Sequence, residues 1–171
     1  MIFLTVGTHE PFDRLVRAVD AWYRDRKDRP ELFAQITKRK DGGYVPANFE
    51  WIERLTPVEF TARFDAANVI VAHAGMGTII SALNAGKPIV VMPRRGHLNE
   101  TRNDHQFSTV QQLKGRDGIF VAMDETEIGA VIDQALTEAD RHSAPPISEF
   151  APDGFTTALR EFITTGKAPN R

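Results

Sequence analysis

The sequence predicts an α/β fold in which helices cover both faces of a doubly wound, mostly parallel sheet. Short apolar segments rich in β-branched residues alternate along the chain with segments whose apolar residues recur every three or four positions. The first pattern is typical of strands buried on both faces, and the second of amphipathic helices. The length of 171 residues fits one domain with a proper core.

The composition narrows the class of protein. A content of 42% hydrophobic and 26% charged residues is ordinary for a globular protein, and the net charge of -2 gives no reason to expect nucleic-acid binding. The chain has no cysteine, which excludes disulfides and cysteine zinc sites. The apolar residues 1–6 are too few for a signal peptide, and no run approaches the ~20 apolar residues of a membrane span. We therefore expect a cytoplasmic protein.

The first half of the chain predicts three strands and two helices. Strands are expected at residues 2–6, 32–37 and 49–52. A first helix runs through residues 12–23 with Pro11 in its first turn, where a missing N–H costs no hydrogen bond. A second helix covers residues 57–65, with Thr56 as its N-cap. The basic segment Lys38 to Lys40 is interpreted as a solvated loop.

The second half continues the alternation of strands and helices. Strands are predicted at 68–72, 87–93 and 118–122, and helices at 79–86, 104–113, 126–139 and 155–164. Residues 143–153 contain three prolines and few apolar residues, which is typical of a linker. The last residues, 166–171, are expected to form a flexible tail.

Three loops with unusual chemistry follow predicted strands, at residues 7–10, 73–78 and 93–106. The carboxyl ends of parallel strands meet at one edge of a sheet, and ligands of doubly wound folds bind there. We therefore expect these three loops to converge on one site.

The loop His73-Ala74-Gly75-Met76-Gly77-Thr78 lies between a predicted strand and a predicted helix. A glycine turn that opens a helix aims several backbone N–H groups at one point, which suits a phosphate. The loop lacks the glycine spacing of dinucleotide-binding proteins and the Walker lysine. A purely structural turn is the alternative, and His73 is either a ligand contact or a brace of the loop.

The loop Gly7-Thr8-His9-Glu10 also follows a strand and opens a helix. Gly7 and Thr8 would offer a second set of hydrogen-bond donors, and His9 is the candidate catalytic base. Histidine is the residue type that exchanges protons near neutral pH. The alternative is a tight turn with a capping threonine.

The loop 93–106 is rich in polar groups. Asp104 and Gln106 can bond several hydroxyls at once, which suits a sugar, and a guanidinium such as Arg94 suits a phosphate or carboxylate. A solvated surface loop is the alternative. His97 and His105 do not have the spacing of a helical metal-ligand pair, so no metal site is predicted.

Several of these segments together resemble the C-terminal, donor-binding domain of glycosyltransferase family 28, in the GT-B class. The segments that carry the resemblance are residues 2–9, 12–16, 72–78, 82–88, 93–95 and 103–106. They span roughly the first two-thirds of the chain. These sequence motifs are most similar to those of free-standing small subunits, namely those of bacterial exopolysaccharide glucuronosyltransferases (PssE-type) and of the eukaryotic dolichol-pathway N-acetylglucosaminyltransferase.

The resemblance implies a single Rossmann-like domain, one half of a GT-B fold, with residues 1–165 as the UDP-sugar-binding domain. The other half would be a membrane-associated subunit that binds a lipid-linked glycan acceptor and recruits this chain to the inner face of the membrane. The diphosphate would lie over Gly75, Gly77 and Thr78, and the hexose against Asp104 and Gln106. No cofactor beyond the UDP-sugar donor substrate and no metal is implied.

The resulting hypothesis is the donor-binding and catalytic subunit of a two-component glycosyltransferase in polysaccharide biosynthesis, with glucuronate as a candidate sugar. It has His9 as base, while Ser81 stands where many relatives carry a ribose-binding glutamate. The predicted donor contacts are Gly7, Thr8, His73, Gly75, Met76, Gly77, Thr78, Arg94, Asp104 and Gln106. The alternatives are a non-catalytic nucleotide-binding module that stabilises a partner and a UDP-sugar epimerase.

Overall fold

The computed structural model describes residues 1–37, 42–141, 148 and 150–166, and its centre is a six-stranded sheet. The strands are β1 Ile2–Thr5, β2 Leu32–Gln35, β3 Glu50–Ile52, β4 Val69–His73, β5 Ile89–Met92 and β6 Ile119–Val121. Their order is β3-β2-β1-β4-β5-β6, and every neighbouring pair is parallel. The predicted doubly wound α/β class is confirmed, and the sheet is parallel throughout.

Six helices accompany the sheet. They are α1 Asp13–Arg24, α2 Pro57–Ala66, α3 Met76–Asn84, α4 His105–Leu113, α5 Ile128–Arg141 and α6 Asp153–Thr165. Buried side chains of α1 and α5 join the core on one face of the sheet, and those of α2, α3 and α4 join the core on the other face. The helix α6 contributes no buried residue to either core.

The two cores follow from the alternation of side chains along each strand. In β1, Ile2 and Leu4 belong to the core on the α1 face, while Phe3 between them belongs to the core on the opposite face. All four residues of β1 are buried, as are those of β5. Strands covered on both sides must be apolar on both sides, which is why they are continuous hydrophobic runs in the sequence.

The element boundaries differ from the sequence-based ones at two places that matter for the site. The helix α3 begins at Met76 and not at Ile79, so Gly75 is its N-cap and the predicted glycine loop forms its first turn. The helix α1 begins at Asp13 with Phe12 as N-cap, so Pro11 lies outside it. Thr56 caps α2 as predicted, in a reciprocal capping box with Glu59.

Some predictions fall on residues that the structure does not describe. They are the solvated loop at Lys38 to Lys40, most of the linker at 143–153 and the tail beyond residue 166.

The strand order reverses between the adjacent parallel strands β1 and β4: β2 and β3 are added on one side of β1, and β5 and β6 on the other side of β4. The chain leaves β1 towards α1 on one face of the sheet, and it leaves β4 towards α3 on the other face. Such a reversal opens a crevice at the carboxyl ends of the two strands, where ligands bind in doubly wound folds. Both of the predicted glycine loops, 7–10 and 73–78, begin at this crevice.

Candidate functional site at the carboxyl edge of the sheet

The side chain of His73 lies between the two glycine loops. A Cβ atom added at Gly7 would lie 3.1 Å from His73 Cε1, and one added at Gly75 would overlap His73 Nε2. Both glycines therefore leave room for the same imidazole ring. The position of His73 supports its interpretation as a brace, since the ring fills the space between the ends of β1 and β4.

The imidazole of His73 is neutral at physiological pH. Burial and the nearby Arg94 guanidinium both disfavour the charged ring and lower the pKa of His73 to about 4, against a smaller opposing effect of the Thr5 carbonyl. Its Nδ1 atom is buried and has no hydrogen-bond partner among the described residues. A neutral ring with an unpaired nitrogen is therefore part of the floor of the crevice.

The first turn of α3 presents free backbone donors. Because the helix begins at Met76, the N–H groups of Met76, Gly77 and Thr78 have no acceptor within it, and no side chain caps them. A Cβ at Gly77 would meet nothing within 4 Å, so the surface above this turn is open. The helix dipole adds positive partial charge at the same point, which gives an arrangement able to bind an anion.

The loop after β1 is held by side chains that the sequence did not single out. Gly7 has a φ of 79°, a left-handed conformation that glycine adopts without strain. Its carbonyl accepts hydrogen bonds from Gln35 Nε2 at 3.1 Å and Thr37 Oγ1 at 2.7 Å. Only the tertiary pairing of β2 beside β1 brings these two donors to the loop.

Beyond Gly7 the loop is exposed to solvent. Thr8 and His9 are both exposed, and Thr8 Oγ1 lies 3.2 Å from His9 Nδ1. These two residues also line a cleft of about 760 Å³ whose walls include Asp13, Arg17 and Arg54. The residues 73–78, Asp104 and Gln106 do not line this cleft, so the cleft contains only part of the predicted site.

Arg94 lies beneath the loop and not at its surface. The residue is 3% exposed, and its guanidinium donates to the carbonyl oxygens of Val6, Glu10, Pro11 and Glu100. Burial lowers the pKa of Arg94 to about 10, so it remains charged at neutral pH. The sequence predicted that Arg94 or Arg95 contacts a phosphate or a carboxylate of the donor; in the structure the Arg94 guanidinium donates to backbone carbonyls.

Asp104 and Gln106 stand at the start of α4. Asp104 is exposed, and its Oδ1 accepts a hydrogen bond from the Gly96 amide at 2.8 Å. Gln106 is buried, and its Oε1 accepts from the Arg94 amide at 3.2 Å. Both side chains therefore hold the preceding loop in place while Asp104 also faces solvent.

Ser81 lies on the exposed side of α3. Its hydroxyl donates to the Gly77 carbonyl at 2.9 Å, one turn back along the same helix. This local bond is common for serine within helices. Met76, in the first turn, is partly exposed beside the free donors.

The arrangement of side chains and the composition of the helices bear on metal binding and membrane insertion. Within residues 1–37, 42–141, 148 and 150–166, no three His, Asp or Glu side chains come together as metal ligands would. Among the helices described, none has the length and apolar content needed to span a bilayer.

Comparisons with known proteins bear on the family and the fold. A model of the glycosyltransferase family 28 C-terminal domain matches residues 1–155. No curated protein matches the chain. Among solved structures, the glycotransferase of kitacinnamycin is 22% identical with a TM-score of 0.57, over 82% of this chain and 36% of its own. The solution structure of ALG13 is 16% identical with a TM-score of 0.51, over 92% of this chain and 93% of its own.

The share of the matched protein that this chain covers differs between the two structures. The chain spans only 36% of the length of the first structure but 93% of the length of ALG13. At such identities the likeness shows a shared fold.

Proposed function

The chain belongs to the glycosyltransferase family 28 C-terminal domain family, and from this membership we propose that it is the donor-binding and catalytic subunit of a two-component glycosyltransferase. It uses a UDP-sugar and transfers the hexose to a lipid-linked glycan acceptor in polysaccharide biosynthesis. Glucuronate is the candidate sugar.

The observation that carries the proposal is the open N-terminus of α3 at the crevice between β1 and β4. The free amides of Met76, Gly77 and Thr78 and the positive end of the helix dipole suit a diphosphate. Gly7 lies across His73 from this turn, with its amide 3.4 Å from Thr5 Oγ1, and the exposed Thr8 next to it supplies a further donor. A UDP leaving group would gain the same stabilisation as its charge develops, which favours cleavage of the bond to the sugar.

The proposed reaction is a displacement at the anomeric carbon. The acceptor hydroxyl forms the new bond, the bond from the anomeric carbon to the diphosphate oxygen breaks, and the bonding electrons leave with UDP. His9 is exposed, lines the 760 Å³ cleft and takes the proton of the acceptor hydroxyl. The acceptor is therefore assigned to the cleft beside His9.

The hexose is assigned to the start of α4. Asp104 is exposed and keeps its Oδ2 for a sugar hydroxyl, because only Oδ1 accepts the Gly96 amide among the described contacts. Gln106 uses Oε1 on the Arg94 amide, which leaves its Nε2 as the donor to the sugar. We expect no metal requirement, since helix and loop donors meet the diphosphate charge.

The acceptor side is assigned to a separate membrane-associated subunit. ALG13 matches this chain over nearly its whole length, whereas the glycotransferase of kitacinnamycin is almost three times as long as the matched part. The matched part is thus about a third of the longer enzyme, which leaves room there for a second domain. We expect activity only with the partner, which also brings this chain to the inner face of the membrane.

Nucleotide binding is tested on the full chain alone. UDP titrated into isotopically labelled protein is expected to shift the amide resonances of residues 75–79 and 7–9. Shifts confined to other parts of the sheet, or none at millimolar UDP, would contradict the donor-site assignment.

Transfer is tested with the partner. The chain is co-expressed with the membrane protein that co-purifies with it and supplied with membrane lipid and a panel of UDP-sugars. Formation of glycosylated lipid supports the proposal. Nucleotide binding without transfer by the formed complex favours the non-catalytic module, and conversion of a free UDP-sugar by this chain alone favours the epimerase.

A further inference from the structure

Arg94 is a buried cation, and no carboxylate of the described residues is in hydrogen-bond contact with it. Its Nη1 donates to Pro11 O at 2.5 Å and Glu100 O at 3.2 Å, and its Nη2 donates to Val6 O at 2.9 Å and Glu10 O at 2.6 Å. Burying a charge is costly unless several dipoles compensate it. Four carbonyls converge on this one side chain, so the surrounding backbone is arranged around the guanidinium.

Three of those carbonyls belong to the segment 6–11, which contains Gly7, Thr8 and His9. A guanidinium is planar and holds its donors in a fixed fork, so it fixes the direction of each carbonyl that it binds. The ring of Phe12 packs against the same group, with its centroid 4.7 Å from Arg94 Cζ. Arg94 thus fixes the backbone conformation of segment 6–11 through these hydrogen bonds.

Arg94 is also tied to the other loop of the site. Its backbone amide donates to Gln106 Oε1 at 3.2 Å, and the nearby Gly96 amide donates to Asp104 Oδ1 at 2.8 Å. The two residues assigned to the hexose are therefore linked through the segment that begins at Arg94. One residue connects the loop after β1 with the start of α4.

A neighbouring ion pair supports this arrangement. Arg14 donates from Nε and Nη2 to the Glu100 carboxylate, at 2.8 Å each, and Glu100 Oε2 also accepts from the Arg95 amide at 2.9 Å. Both side chains are mostly buried. The bidentate pair fixes Glu100 so that its carbonyl meets Arg94 Nη1.

We propose that Arg94 is a positioning residue: it fixes segment 6–11 relative to the start of α4 so that donors from both meet the same sugar nucleotide. It acts through the loops and does not touch the donor. This inference rests on the proposed function for its effect on donor binding, while its effect on loop order stands by itself.

The test compares Arg94→Lys with Arg63→Lys in the full chain. Lysine keeps the positive charge but lacks the planar guanidinium group, whose donors have fixed directions. Arg63 is a matched control, because it stacks on the ring of Phe33 at 4.0 Å but lies on α2, in neither loop of the site. Both variants are studied by ¹⁵N relaxation and by UDP titration, at a temperature where circular dichroism shows each to be fully folded.

In Arg94→Lys, the order parameters of residues 7–10 are expected to fall from the rigid range of about 0.85 to below about 0.6. The UDP dissociation constant is expected to rise about tenfold, equivalent to about 1.4 kcal/mol. Arg63→Lys is expected to change neither. A role in stability alone would lower the melting temperature of Arg94→Lys without changing loop order or UDP affinity in the folded protein, and that result would overturn the inference.

Two further results are possible: the parent protein does not bind UDP, or Arg94→Lys does not fold. If the parent protein does not bind UDP, the proposed function fails. The role of Arg94 is then decided by loop order alone: reduced order of residues 7–10 in Arg94→Lys supports it, and unchanged order overturns it. If Arg94→Lys does not fold, Glu100→Gln replaces it. This variant weakens the pair with Arg14 and should lower the order of residues 7–10 to a smaller extent, and unchanged order would overturn the inference.

Discussion

At the scale of single residues, the packing of His73 explains two glycines that are far apart in the sequence. Gly7 and Gly75 both face the imidazole ring, and a methyl group at either position would meet it. The sequence left His73 open between a brace and a ligand contact. Its burial favours the brace, while its unpaired Nδ1 leaves a polar atom at the floor of the crevice.

Gly75→Ala is expected to destabilise the protein by about 1–3 kcal/mol, because the added methyl group overlaps the ring of His73 and forces it to move. The free energy of unfolding is measured by urea denaturation. His73→Ala in the same background should recover part of this loss, with a coupling of at least about 0.5 kcal/mol in a double-mutant cycle.

Gly77→Ala is the matched control, since it lies in the same turn but its added methyl group meets nothing within 4 Å. It is expected to be neutral, or stabilising by up to about 1 kcal/mol from helix propensity. Equal losses for Gly75→Ala and Gly77→Ala, or strict additivity with His73→Ala, would contradict the steric explanation.

The protonation of His73 predicts a pH dependence of stability. Its pKa is about 4 in the folded protein, against an ordinary value of 6.5. Between these values the unfolded chain binds a proton that the folded protein does not, so the free energy of unfolding falls as the pH drops from about 6.5 to about 4. We expect a contribution on the order of 3 kcal/mol, since the pKa differs by about 2.5 units between the two states and each unit corresponds to about 1.4 kcal/mol.

This contribution is isolated by comparing the parent with His73→Gln, which does not titrate. Urea denaturation at pH 7.5 and at pH 4.5 gives the loss of stability for each protein, and the carboxylates contribute equally to both. The loss should be smaller in His73→Gln. An identical loss would show that His73 has an ordinary pKa in the folded protein.

At the scale of elements, α1 also organises the segment that precedes β3. Asp20 of α1 is 2% exposed and accepts hydrogen bonds from Tyr44 Oη at 2.6 Å, the Ala47 amide at 3.1 Å, and the Asn48 amide at 3.0 Å. Burial by itself raises the pKa of Asp20, but these donors outweigh it and the net pKa is lowered. A helix carboxylate thus replaces the missing backbone partners of a loop.

Asp20→Asn is expected to destabilise the protein by about 1–3 kcal/mol at neutral pH. The NH2 group of asparagine would face the Tyr44 hydroxyl and the backbone amides that donate to Asp20, and it cannot accept their hydrogen bonds. The stabilisation by Asp20 is present above its ordinary pKa and is lost as the pH falls through the lowered one. Urea denaturation at pH 7 measures it. Asp25→Asn, at the exposed end of the same helix, is the control and should leave the free energy of unfolding nearly unchanged.

At the scale of the whole molecule, α6 lies outside the two cores of the sheet. The family model ends at residue 155, and no residue of α6 is buried, although Phe155, Phe162 and Ile163 are large and apolar. The boundary at residue 165 predicted from the sequence stays a prediction. The core is complete with α5, whose Ile128 and Ile132 are buried against the sheet.

Removal of residues 153–171 is therefore expected to change the free energy of unfolding by less than about 0.5 kcal/mol, as for surface changes generally. Urea denaturation of the truncated and full chains, with the same slope in both, measures it. A truncation that removes α5 as well is the control and should abolish cooperative unfolding. A large loss on removal of α6 alone would show that its apolar face packs on the domain.

Much of the fold was predictable from the sequence, because the patterns that specify strands, turns and helix caps lie within short segments of the chain. The strands β1, β4 and β5 are buried on both faces, so burial is visible as an uninterrupted apolar run. The glycine loops follow these strands directly, and the parallel order brings them together. Thr56 was predictable as the cap of α2 because a capping box is contained within four residues.

The sequence by itself determined the fold class, the family and the three loops at the carboxyl edge, since periodicity and turn residues act over short distances. Tertiary structure decided what the side chains of those loops do. Arg94 sits beneath carbonyls that precede it by 83 to 88 positions, and His73 fills a gap beside Gly7, 66 positions away. Contacts of that range depend on strand order and register, because the chain must fold before those groups can meet.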